Sequence, residues 1–195
     1  METEITVQVF DNMNEISKKL TEQGYEVIEK FGVKDYYFSR FPLSELENLP
    51  YGEMISNSLI VREIIDEFNP KKLLVYKNKV ISGDVVLEED KINIKIDDIE
   101  KTKKALTLAG LTNWGRVFNK STVFKKDEIV FDVQEIEDLG IFIEYEEDES
   151  MQHLRSPVEK IEHMKNIVSS LGLKLGGDFS CKKVYMLFQK QMDKR

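Results

Sequence analysis

Apolar and polar positions alternate along most of this chain, in runs rich in Val, Ile, Phe and Tyr. These runs predict strands near residues 2–10, 25–40, 58–67, 72–80, 84–96, 115–125, 128–136 and 140–147. Three stretches switch to a helical period. Residues 12–23 place Ile16 and Leu20 four apart and stop at Gly24. Residues 98–109 gather Ala105, Leu106 and Ala109 on one face and stop at Gly110. Ser156-Pro157-Val158-Glu159 is a capping box with proline at the first helical position, opening a helix to about Leu171 through Ile161, Met164, Ile167 and Val168. Gly172 to Asp178 reads as a loop, and Lys182 to Gln189 fits a short helix or a strand equally well.

Strand, helix and long strand recur over residues 2–40 and 84–124, which points to one large antiparallel sheet with helices packed outside. The polar faces of the strands carry charges of both signs, while the other faces are strongly apolar. A flat sheet would hold that polar face in water; a closed sheet would hold it as a charged lumen.

Composition narrows the function classes. The 195 residues, 41% of them hydrophobic, suit one domain with a real core, residues 1–195. With 36 acidic against 28 basic residues and a net charge of −8, neither nucleic acid nor an anionic membrane is an expected partner. The N-terminus enters a strand at once and no apolar run reaches transmembrane length, so a cytoplasmic setting is expected. Cys181 is the only cysteine, and His153 and His163 form no paired motif. The glycines at 32, 83 and 176–177 lack the Lys-Ser/Thr of a P-loop, and G-x-G-x-x-G, G-x-S-x-G and HExxH are absent.

Two acidic alternations stand out. Glu2-Thr3-Glu4 opens the first strand and Glu144-Tyr145-Glu146 ends the last. Period 2 puts each carboxylate pair on one face, opposite Ile5, Val7 and Val9, or Ile141, Ile143 and Tyr145. Such pairs repel unless something positive, such as a hard divalent cation, lies between them; the alternative is two amphipathic strands with solvated acidic faces. Asp132 lies between Phe131 and Val133, where a carboxylate needs a partner. Arg62, Lys77 and Lys120 are the strand-borne cations that could meet phosphate oxygens.

These residues resemble, in order and over nearly the whole chain, the CYTH superfamily of class IV adenylyl cyclases, thiamine triphosphatases and inorganic triphosphatases. The acidic opening is similar to its E-x-E-x-K signature, Lys34-Asp35-Tyr36-Tyr37-Phe38 to its D-x-Y-F-D strand, and Ser58-Leu59-Ile60-Val61-Arg62-Glu63 to A-L-R-I-R. Asp132 with Asp138-Leu139-Gly140-Ile141-Phe142-Ile143-Glu144-Tyr145-Glu146 resembles L-D-x-V-x-x-L-G-x-F-x-E-I-E and is the most specific part. The resemblance implies an α+β fold: an eight-stranded antiparallel closed sheet, a tunnel-like barrel with helices outside. It implies Mg²⁺ or Mn²⁺ on Glu2, Glu4, Asp132, Glu144 and Glu146, and a triphosphate on Arg62, Lys77 and Lys120. The expected partner is a small phosphorylated molecule, with a homodimer left open.

Departures accompany the matches. Thr6, Ile60 and Thr122 stand where the family has Lys, Arg and Arg, and residues 82–90 offer no cation. The acidic half of the site looks kept and the basic half thinned. Two functions follow: metal-dependent phosphoryl chemistry on a nucleotide or other organic triphosphate, cyclase-like or triphosphatase-like, or a degenerate member that binds a phosphorylated ligand or serves as a scaffold.

Overall fold

The computed structural model describes residues 3–56, 58–82 and 85–193. In chain order the elements are β1 (Glu4–Val9), α1 (Met13–Glu22), β2 (Glu26–Ser39), α2 (Leu43–Leu46), α3 (Tyr51–Ser56), β3 (Ser58–Ile65), β4 (Lys71–Ser82), β5 (Val85–Lys95), α4 (Ile99–Leu108), β6 (Thr112–Lys126), β7 (Ile129–Ile136), β8 (Gly140–Glu146), α5 (Pro157–Ser170) and α6 (Lys183–Met192). The three expected helices form where their caps place them. Asn12 with Glu15 and Ser156 with Glu159 close capping boxes on α1 and α5, and Asp98 accepts from the Lys101 N–H at the start of α4. Gly24 and Gly110 follow α1 and α4 with φ of 88° and 89°, a conformation that resists a side chain. The undecided tail is helix α6.

All eight strands join one antiparallel sheet in the order β1-β8-β7-β6-β2-β3-β4-β5. Its outer face is apolar along β1, β8 and β7. Val7, Ile143 and Val133 lie side by side in register, and α1 and α5 cover them with Ile16, Leu20, Ile161, Met164 and Val168. Helix α4 covers Phe38 and Val61 further round with Ile99.

Two expectations need correcting. The sheet curls until its ends approach, but hydrogen bonds do not close it. The reason lies in residues 174–181, which run along the outer edge of β1. Phe10 N–H donates to Lys174 O (2.8 Å), Gly176 N–H to Gln8 O (2.8 Å), Thr6 N–H to Phe179 O (3.0 Å), and Cys181 N–H to Thr6 O (3.0 Å). That edge is therefore already paired, and β5 meets β1 through side chains instead. Helix α5 packs against both strands at this seam. Nor are all helices outside. Helices α3 and α6 fill one end of the inner face, where Met54, Leu187 and Phe188 pack with Ile60, Val75, Ile136 and Phe142. Gly115 permits this: a Cβ there would sit 2.9 Å from Val184 Cγ2 on α6. Among the described residues, no helix is long and apolar enough to cross a membrane.

Candidate functional site

Much of the rest of the inner face is charged. It encloses a cavity of about 270 Å³, lined by the carboxylates of Glu4, Asp35, Asp132, Glu144 and Glu146 and by the cations of Arg62, Lys77, Lys79, Lys91, Lys182 and Lys183. Register explains the carboxylates. Glu4 is opposite Glu146, and Thr6 is opposite Glu144, which is opposite Asp132. Oxygens of Glu4, Glu144 and Glu146 come within 4.8 Å of one another, as a single cation would require. Glu2 lies outside the described residues.

Asp132 and Glu144 share a buried network. Gln134 Nε2 donates to Asp132 Oδ2 (2.6 Å) and to Glu144 Oε2 (3.4 Å), and Ser121 Oγ donates to Asp132 Oδ2 (3.1 Å). Asp132 Oδ1 is buried with no hydrogen-bond partner. Burial, and then the neighbouring Glu144 charge, push the Asp132 carboxyl up to about 6. Glu144 shifts the other way. Burial would raise it, but Lys183 and Lys77 outweigh that and hold it ionised below the usual carboxylate range.

The cations are matched to these acids. Lys183 donates to Glu144 and to Gln134 Oε1 (2.8 Å). Lys91 reaches across the seam to Glu146 (2.7 Å) and Glu4 (3.8 Å), and Lys79 also lies 3.8 Å from Glu4. Side-chain ion pairs thus bridge the gap that the backbone leaves. Opposite them, Arg62 forks onto Asp35, Nε to Oδ1 at 2.7 Å and Nη2 to Oδ2 at 2.6 Å. Burial opposes the guanidinium charge, but Asp35 more than offsets it and raises the Arg62 pKa.

The expected cations divide. Arg62 and Lys77 line the cavity, as does the uncharged Thr6 on β1, whereas Ile60 is buried in the core under α3 and α6. Lys120 does not. It is exposed on the outer face with Lys30, Thr122 and Glu135. Residue spacing relates Lys120 to Thr122 correctly, but the phase of β6 is set by Ser121, which bonds Asp132 from inside, so its neighbours turn outward. The basic half is not thinned either. Sequence reasoning missed Lys79, Lys91, Lys182, Lys183 and Asp35. Lys79 follows Lys77 by two on the same strand, a signal that was present. Lys183 had a subtler one: two lysines opening a helix oppose its dipole, which favours anions at that end. A local conflict of this kind marks a site held by something else, here Glu144.

The fold is a known one. The structure superposes on that of PH1819 from Pyrococcus horikoshii OT3 with a TM-score of 0.70, 20% identity and full coverage of both chains. It is similar to the "Putative adenylyl cyclase HpAC1" of Hippeastrum, described as having a dominant triphosphatase activity, with a TM-score of 0.58, 14% identity and 98% and 96% of the two chains covered. In sequence it is 24% identical over 173 residues to the "Putative adenylate cyclase MJ0240" of Methanocaldococcus jannaschii, across 89% of this chain and 90% of that one. No family model matches the chain. These likenesses agree with the CYTH resemblance at the level of fold.

Proposed function

We propose that this chain is a CYTH-like protein that performs metal-dependent phosphoryl chemistry on a triphosphate bound inside the curled sheet. The observation that carries the reading is the pairing of two opposed charge sets in one cavity. Glu4, Glu144 and Glu146 converge as oxygen ligands do, and Lys79, Lys91 and Lys183 rest on them. A metal–triphosphate complex satisfies both sets at once. The carboxylates, with the unpartnered Oδ1 of Asp132 beside them, fit Mg²⁺ or Mn²⁺. When bound, such an ion neutralises charge that develops on the phosphoryl oxygens.

The chain's own residues supply the rest. Arg62, held by Asp35, offers a fixed guanidinium edge, while Lys77, Lys79, Lys91 and Lys183 turn from carboxylates to phosphate oxygens. The N-terminus of α6 adds its dipole to the same field. With most of the cavity wall already protein, the ligand exchanges ion pairs for ion pairs and leaves few buried charges uncompensated.

The test is a panel of ATP, thiamine triphosphate and tripolyphosphate with Mg²⁺ and Mn²⁺, read as turnover and as melting temperature. Turnover of one of them, abolished by Glu4→Gln with Glu144→Gln, is expected. Metal alone should raise the melting temperature by mass action, and changing Glu2, Glu4, Glu144 and Glu146 to Gln should remove most of that rise. An unchanged metal response in that variant places the cation elsewhere. A second reading, a binder without turnover, rests on the uncharged Thr6 and Ile60; binding without product would favour it.

A further inference from the structure

Helical cover of the outer face thins toward β4 and β5. Strand register carries two apolar rows out from beside α4. One runs Val61, Leu74, Ile94 and the other Leu59, Tyr76, Ile92. Along the first, the side chains pass from fully buried Val61 through half-buried Leu74 to Ile94, which is 54% exposed. Along the second, Leu59 and Tyr76 are half-buried and Ile92 is 53% exposed. Both isoleucines lie on β5, the last strand in the sheet order, and Lys91 between their faces turns the other way, into the cavity. One exposed isoleucine is ordinary. Two in succession on one face of an edge strand, continuous with the core under α4, make a surface that proteins cover.

The charges at its two ends indicate what covers it. Asn93 marks the middle of the patch, between Ile92 and Ile94. Asp90 is exposed three residues before it, on the isoleucine face. Lys72 lies three residues to the other side, level with Ile96, whose N–H donates to the Lys72 carbonyl (3.0 Å). It is exposed on the same face as Leu74, and its amine donates to the Asp97 carbonyl at 3.2 Å, a bond that a carboxylate can replace. Glu63, opposite Lys72 on β3, already pairs with Lys34 (3.6 Å). Each charge thus stands about 10 Å along the strands from the centre, the acid on one side and the base on the other. Such a surface is complementary to itself. We propose that the outer face of β4 and β5 pairs with the same face of a second copy of this chain, about a two-fold axis that crosses the strands at Asn93. That axis sets Ile92 of one copy against Ile94 of the other, and Asp90 against Lys72 of the other, twice per dimer. An axis parallel to the strands would bring the two Asp90 side chains to one level, so charge selects the crossing arrangement. The interface lies on the opposite side of the sheet from Lys91 and the cavity.

Sedimentation velocity on the full chain from about 1 to 100 μM tests the proposal, and the parent should pass from monomer to dimer within that range. Ile92→Lys should weaken the dimer by about a hundredfold, because the two-fold axis makes each substitution act twice. Asp90→Lys and Lys72→Asp should each weaken it by about tenfold, and the two together should bring affinity back to within about threefold of the parent. All three side chains are exposed, so melting temperatures of the dilute variants should stay within about 2 °C of the parent's. If Ile92→Lys fails to fold, the charge exchange still decides. A parent that stays monomeric throughout overturns the proposal. So does a dimer that these changes leave intact, or one that the combined charge exchange fails to restore.

Discussion

The two faces of β8 show how differently one strand can be used. Outward, Ile143 and Tyr145 are fully buried among Val7, Phe131 and Val133 beneath α1 and α5, and the Tyr145 hydroxyl reaches Asp148 at 2.6 Å. Inward, Phe142 joins the plug under α6, but Glu144 and Glu146 meet lysines from two other elements, Lys183 of α6 and Lys91 of β5. The outer face gains stability from area alone and tolerates no polar atom without a partner. The inner face holds a balance of paired opposite charges. The lesson is that the fold is specified on one side of the sheet and kept adaptable on the other.

Truncations sharpen that contrast. The largest effect belongs outside: Phe131→Ala, at a residue with no exposure, should cost about 3–5 kcal/mol and lower the melting temperature by roughly 10 °C or more. Inside, Lys183→Met leaves Glu144 buried without its closest cation. We expect about 1–3 kcal/mol of destabilisation, and a Glu144 carboxyl that titrates higher by NMR. An unchanged Glu144 titration would mean that the pair is not the one that matters.

Asp132 gives a pH test. Its carboxyl titrates near 6 in the folded chain, against about 4 in an unfolded one, so the native state binds the proton more tightly. That contribution is full below about pH 4 and is lost as pH rises through 6. Asp132→Asn should therefore flatten the melting curve between pH 4 and 7 and raise the melting temperature at pH 7.5 by about 3 °C in the absence of metal. A steeper slope in the variant would refute the assignment. The smallest effect is Lys120→Ala, on the outer face, which should stay within about 0.5 kcal/mol and leave triphosphate affinity unchanged.

How much of this was legible depends on range. Period-2 patterning separated Ile5, Val7 and Val9 from Glu4, and Ile143 and Tyr145 from Glu144, because that information lies within a single strand. Helix limits followed from Gly24, Gly110 and the capping box at Ser156, again within a few residues. What failed was longer in range. The phase of β6 depends on Ser121 finding Asp132 on β7, so Lys120 was placed on the wrong side. The role of Lys183 depends on a segment that crosses to β1, which no local period encodes. The same crossing kept the sheet from closing by hydrogen bonds.

That crossing has a consequence for how the chain acquires its shape. Thr6 bonds Phe179 and Cys181, so β1 is finished by a segment synthesised long after it. Contacts so distant along the chain form slowly, because a long loop must close before they yield anything. During synthesis the carboxylates of Glu4, Glu144 and Glu146 are all present before Lys183 has emerged. On the nascent inner face Lys79 and Lys91 already stand ready for Glu4 and Glu146, while Glu144 awaits Lys183, and docking of residues 174–183 completes the balance of the cavity. Completion of the cavity thus waits until residues 174–183 have been made, and the outer core under α1 and α5 does not depend on Lys183.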